Sequence, residues 1–180
     1  IAAYLGIDVQ RTPEGHFHLR QPHSIESLVN DFEQLYAGKL HPCREPALPN
    51  ERLEKTGPPR ETMWSYPSII GRLNYIAGTA RPDIAFAVHQ CAHFSADPRK
   101  PHEDAVKKII RYLKGNYDKG IIFQPDCSLG LQCYVDASFA SGWTTHCNAD
   151  DPSNVYSRTG YVLRLFGCPL LWVSKLQTDV

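Results

Sequence analysis

The chain has 180 residues, with 19 Lys+Arg against 19 Asp+Glu, so it carries no net charge. Any attraction to nucleic acid or to an anionic membrane therefore has to be local. Hydrophobic residues at 42% and charged residues at 21% fit a folded globular chain and set aside overall disorder, and no apolar run approaches the ~20 residues of a membrane-spanning helix.

Leu5, Ile7 and Val9 alternate with Tyr4, Gly6 and Asp8, which predicts a strand over 4–9. Thr12-Pro13-Glu14-Gly15 is a turn signal, and Phe17 and Leu19 alternate again, so residues 4–19 are predicted to form a β-hairpin. Ser24 is placed to cap a helix over 25–36 that turns Ile25, Leu28, Val29, Phe32 and Leu35 to one side. Residues 37–62 hold five prolines and little periodicity, an irregular connection and a candidate subdomain boundary. Pro67 suits the first turn of a helix carrying Ile69, Ile70, Leu73, Ile76 and Ala77 inward. Pro82 ends that helix and starts a second, with Ile84, Ala85, Val88, Cys91 and Ala92 inward and Asp97-Pro98 closing it. Pro101 opens a third helix and Gly115 ends it. Its apolar stripe is Ala105, Val106, Ile109, Ile110 and Leu113, with Lys107, Lys108, Arg111 and Lys114 on the opposite side. From 121 onward the pattern is β: strands at 121–123 and 129–137, then a hairpin of 160–166 and 170–175 around Gly167-Cys168-Pro169. The expected class is α+β with at least two parts.

Four stretches in succession resemble the Pol polyproteins of copia-type LTR retrotransposons. AYLGIDV with GHFHLRQ is similar to the palm hairpin that follows the polymerase active site. YPSIIGRLNYIAGTARPDIAFAVHQCAHFSADPRKPHEDAVKKIIRYLKG is similar to the thumb and connection region almost end to end. YVDASFAS resembles the first strand of the RNase H domain, and DPSNVYSRTGYVLRLFGCPLLWVSKLQ the next two. Together they make up a little over half of the chain. The resemblance implies the end of the reverse transcriptase palm over 1–36, thumb and connection over 37–120, and the first strands of an incomplete RNase H-like fold over 121–180. A start at Ile1, with neither a basic leader nor an initiator Met, is what a fragment or processed product would show, and no signal peptide is expected.

The family copies RNA into DNA and degrades the RNA strand. Its polymerase carboxylates lie in a Tyr-x-Asp-Asp motif upstream of the palm hairpin. No Asp-Asp pair precedes residue 150 here, and Asp150-Asp151 is read as a solvated turn beside Pro152. RNase H chemistry places carboxylates around two Mg²⁺ ions, which take hard oxygen ligands. The resemblance puts Asp136 at the first such ligand, as a catalytic and metal-binding residue, with the next, a Glu, expected beyond Val180. One carboxylate cannot assemble the site, so no activity is expected of this chain alone. Ser138 stands where the family often has a second acidic residue, Tyr156 where a basic residue often precedes the Ser, and the stretch from Asp136 to Ser157 is longer than in many members.

Between Arg99 and Lys119 there are seven basic and three acidic residues, a local charge of +4. Lys107, Lys108, Arg111 and Lys114 form a helix face suited to the phosphates of an RNA/DNA hybrid. Expected partners are the primer–template and the remainder of the polyprotein, with no membrane. Family resemblance implies cytoplasmic virus-like particles and nuclear entry of the element. The alternative is a non-catalytic transposon relic or a retained nucleic-acid-binding module. His16 and His18 share a predicted strand face without a third ligand, Arg81-Pro82-Asp83 is read as a structural helix break, and Trp143 and Trp172 as core or rim aromatics. Cys43, Cys91, Cys127, Cys133, Cys147 and Cys168 show no Cys-x-x-Cys spacing and are read as reduced thiols rather than zinc ligands.

Overall fold

Two left-handed residues break the first predicted strand. In the computed structural model, which describes residues 3–47, 53–139 and 155–177, Leu5 and Gly6 have φ of 51° and 76°, and Tyr4 pairs with Ile7. Leu5-Gly6 is thus a two-residue hairpin turn whose twist suits right-handed strands. The stretch is two strands, β1 (Ala3–Tyr4) and β2 (Ile7–Arg11), and Leu5, expected on the Ile7 face, is instead 69% exposed at the tip. Strand β3 (Phe17–Arg20) runs antiparallel to β2 with Val9 opposite Leu19, as the hairpin reading expects. Strand β4 (Gly120–Phe123) completes a sheet of order β1-β2-β3-β4.

Helix α1 spans Pro22–Leu35. It begins two residues before Ser24 because Pro22 has no N–H to leave unpaired in the first turn; Ser24 is not its cap. Ile25, Leu28, Val29 and Phe32 are buried, whereas Leu35 is exposed at the last turn. Helix α2 (Tyr66–Thr79) buries all five predicted residues. A short 3₁₀ turn (Pro82–Ile84) leads into α3 (Ala85–Ala92). That helix stops well short of Asp97-Pro98: Phe94 N–H and the Ser95 hydroxyl close on the carbonyls of Cys91 and Ala92. Inward positions there are Ile84, Ala87, Val88 and Cys91, with Ala85 and Ala92 only half-buried. Helix α4 spans Lys100–Gly115, the bounds that Pro101 and Gly115 predict.

These helices share one core, running from Ile25 and Phe32 through Trp64, Ile70, Leu73 and Val88 to Ile109 and Leu113. Burying each such side chain contributes roughly 1.5–3 kcal/mol. The irregular connection packs on this core rather than dividing it, since Leu40 is part of it and Ala47 and Leu53 lie against it. Contacts separate the chain into Ile1–Ile122 and Phe123–Val180, close to the boundary expected between 120 and 121.

The first turn of α4 anchors the connection. Glu103, 4% exposed, accepts from Arg60 Nε at 2.7 Å, from the Glu61 N–H at 3.3 Å and from the Thr62 hydroxyl. Burial opposes its ionisation, but those hydrogen bonds outweigh it and hold the carboxyl below the usual range. His102 is fully buried and stacks on Phe94 with ring centroids 3.9 Å apart. Its Nδ1 accepts the Arg99 N–H at 2.8 Å, and its Nε2 lies 2.8 Å from the Glu54 carbonyl, the partners of a neutral ring protonated at Nε2. Burial pushes its pKa down. Above about pH 6.5, the ordinary imidazole value, both folded and unfolded states are neutral and the contribution is fully present. As pH falls toward the lower folded pKa, only the unfolded chain takes the proton and stability is lost. The urea midpoint is expected to fall as pH drops below about 6.5, with a shallower fall in His102→Gln; equal slopes would refute the assignment.

The second unit is an antiparallel meander of order β5-β6-β7: Leu131–Ser138, Arg158–Leu165 and Cys168–Leu176. The β6–β7 turn is Phe166-Gly167, both left-handed. Cys168 and Pro169, expected in the turn, therefore open β7. Trp143, Cys147 and Asp150-Asp151 lie outside the described residues.

Candidate nucleic-acid interface

The basic face of α4 faces partners of its own. Lys107 Nζ sits 3.7 Å above the Tyr36 ring, Arg111 Nε donates to the His41 carbonyl at 2.6 Å, and Lys114 pairs with Glu33 at 2.6 Å. Lys108 lines a small cavity with Pro46, Ala47 and Leu53. All four are half-buried. Periodicity placed them on one face, as observed, but could not show that the end of α1 and the start of the connection lie against it.

A different surface is open. Between α1 and α2 runs a groove of about 650 Å³, lined by His23, Ser24, Ser27, Ser68, Gly71, Arg72, Tyr75 and Ile76. On α1 the polar positions 24, 27 and 31 recur at helical spacing, and on α2 so do 68, 72 and 75, giving each helix a polar stripe behind its buried one. Arg72 bridges the pair, donating to Asp31 at 2.7 Å and to Ser27 at 3.1 Å. The Leu5-Gly6 turn closes one end: the Tyr75 hydroxyl donates to the Leu5 carbonyl, and a Cβ on Gly6 would stand 3.2 Å from Ser24 Oγ. The sequence signal for this groove was Gly71, a glycine inside a helix, with nothing within 4 Å of where a Cβ would stand.

In the second unit, Asp136 sits near the end of β5, exposed, opposite Gly160, which is itself opposite Ser174 on β7. Alternation puts these three on one sheet face, and Gly160 leaves the space beside the carboxylate free of a side chain. Among the described residues no group of three His, Cys, Asp or Glu could hold a metal ion, His16 and His18 included. No described helix is long and apolar enough to cross a membrane.

The chain is 33% identical over 178 residues, 98% of its length, to the retrovirus-related Pol polyprotein from transposon RE1 of Arabidopsis thaliana, and 32% identical over the same share to that from transposon RE2. It belongs to the copia-type retrotransposon Pol family. A putative transposon Ty5-1 protein of Saccharomyces cerevisiae is 30% identical over 173 residues, 96% of this Pol chain and 52% of the yeast protein. The Pol chain spans 11% of the length of the two plant polyproteins. No protein-family model matches it, and no solved structure does.

Proposed function

We propose that this chain is the part of a transposon Pol polyprotein that grips the RNA/DNA primer–template and begins its RNase H domain. The observation that carries the reading is Gly71. A glycine inside a helix costs roughly 1 kcal/mol relative to alanine, and nothing in the fold needs the missing side chain. Gly78 is equally open but lies in the last turn. Close approach by a ligand backbone in the α1/α2 groove accounts for Gly71. The same end of the groove holds Leu5, an exposed apolar side chain in a left-handed backbone that costs about 1 kcal/mol, fixed there by Tyr75. Its placement suits packing against a primer end.

Gly71→Ala is expected to raise the melting temperature by about 2–4 °C and to weaken hybrid binding about tenfold, the loss for ~1.4 kcal/mol of steric exclusion. Anisotropy titration and thermal melting read both. A variant that is stabilised yet binds as the parent does would remove the reason for the glycine and with it this reading.

In the second unit, Asp136 supplies one hard oxygen ligand of the kind Mg²⁺ takes. The other carboxylates of an RNase H site would come from elsewhere in the polyprotein. In intact Pol, Asp136→Asn is expected to reduce Mg²⁺-dependent hybrid cleavage by more than the ~10–100-fold typical of losing an outer-shell group. Undiminished cleavage would exclude the role. A binding module without cleavage is favoured by one residue, Ser138, at the position where a second carboxylate is expected. Hybrid binding by intact Pol with no cutting would select that alternative.

A further inference from the structure

We infer that the α1/α2 groove selects the RNA strand of the hybrid through its ribose 2′-hydroxyls, an inference that rests on the reading that this groove meets an RNA/DNA duplex. The groove is poor in available charge. Arg72 is neutralised by Asp31 at 2.7 Å, and His23 faces Glu26 at 3.9 Å. A surface built for phosphates keeps its cations for the ligand; this one holds the Arg72 guanidinium on Asp31 and Ser27 and presents the hydroxyls of Ser24 and Ser68. Hydroxyls both donate and accept, so they pair with another hydroxyl in either sense. The 2′-hydroxyl is the group that distinguishes an RNA strand from DNA, and it is displayed in the wide, shallow minor groove of an A-form helix. Gly71 keeps the α2 side of the groove low enough for a shallow surface to reach it. Ser24 on α1 and Ser68 on α2 stand on opposite helices, and no hydrogen bond among the described residues engages either side chain.

The test is anisotropy titration of the 180-residue chain with matched RNA/DNA and DNA/DNA duplexes. The parent is expected to prefer the hybrid. The double variant Ser24→Ala/Ser68→Ala should lose about tenfold in hybrid affinity, the scale of two neutral hydrogen bonds, with DNA/DNA affinity kept within about twofold. Ser24→Thr/Ser68→Thr, which retains both hydroxyls, should restore the preference and controls for any loss of fold in the alanine variant. Equal affinity of the parent for the two duplexes, or an unchanged ratio in the alanine variant, would overturn the inference. If Gly71→Ala still weakened binding to both duplexes, the groove would stand as a duplex site and only strand selection would fall. If neither duplex bound, both readings would fall together.

Discussion

Arg81→Ala will destabilise the first unit by about 3 kcal/mol, read as a fall in the urea midpoint. Arg81 is 1% exposed. Its Nε and Nη2 donate to the two Asp83 oxygens at 2.9 and 2.7 Å, and its Nη1 donates to the Asn116 carbonyl at 2.7 Å, at the end of α4. The guanidinium lies 5.5 Å over the Tyr112 ring, and the Tyr112 hydroxyl donates to Asp83 at 2.7 Å. Removing the arginine leaves the Asn116 carbonyl unpaired by Arg81, Asp83 without its cation, and a void where the stem ran. Breaking a buried ion pair from one side costs about 3–5 kcal/mol. The Asp83 side chain is 38% exposed, so water relieves part of that and the low end applies. Arg81→Lys should recover less than half, because an ammonium cannot make the two-pronged contact. A loss below about 1 kcal/mol, the scale of a surface pair, would show that the cluster does not hold α4 to the segment before α3.

Gly120→Ala will detach β4 from the first sheet. A Cβ there would run into the Leu19 carbonyl oxygen and stand 2.9 Å from Arg20 Cβ. The nearest obstacle is backbone, which cannot rotate aside as a long side chain can. Overpacking ordinarily costs about 1–3 kcal/mol; an overlap this deep is expected to reach about 4 kcal/mol, in the range reserved for severe disruption. Amide exchange should accelerate through 17–20 and 120–122 while the α2 and α3 amides remain protected. Unchanged exchange in β3 would mean the strands do not approach as described.

Much of the helical unit was legible because its stripes are strong: Ile69, Ile70, Leu73, Ile76 and Ala77 on α2, and Val106, Ile109, Ile110 and Leu113 on α4, are buried as their spacing predicts. The turns were not. Leu5-Gly6 and Phe166-Gly167 place an apolar residue where Asn or Asp is usual, so alternation carries the predicted strand through Leu5, and of the expected second turn Gly167-Cys168-Pro169 only Gly167 lies in the turn. Local chemistry also misplaced the start of α1, where Pro22 outranked Ser24.

The groove could not be read from spacing because its two walls come from segments 45 residues apart, as Ser27 and Arg72 are. Polar stripes on α1 and α2 look like solvated faces until the helices are brought side by side. The same limit applied to α4 in the opposite sense: the charge at Lys107, Arg111 and Lys114 was visible, but Tyr36, His41 and Glu33, which meet it, lie 70 or more residues earlier. Asp136 was placed on β5 as expected, while its row with Gly160 and Ser174 follows from strand register alone.

Hydrogen–deuterium exchange of the 180-residue chain, with and without an RNA/DNA hybrid, tests the central claim most directly. Slowed exchange at 23–28 and 68–76, the two walls of the groove, is the predicted result. Exchange unchanged there, or protection confined to 107–114 on α4, would contradict it.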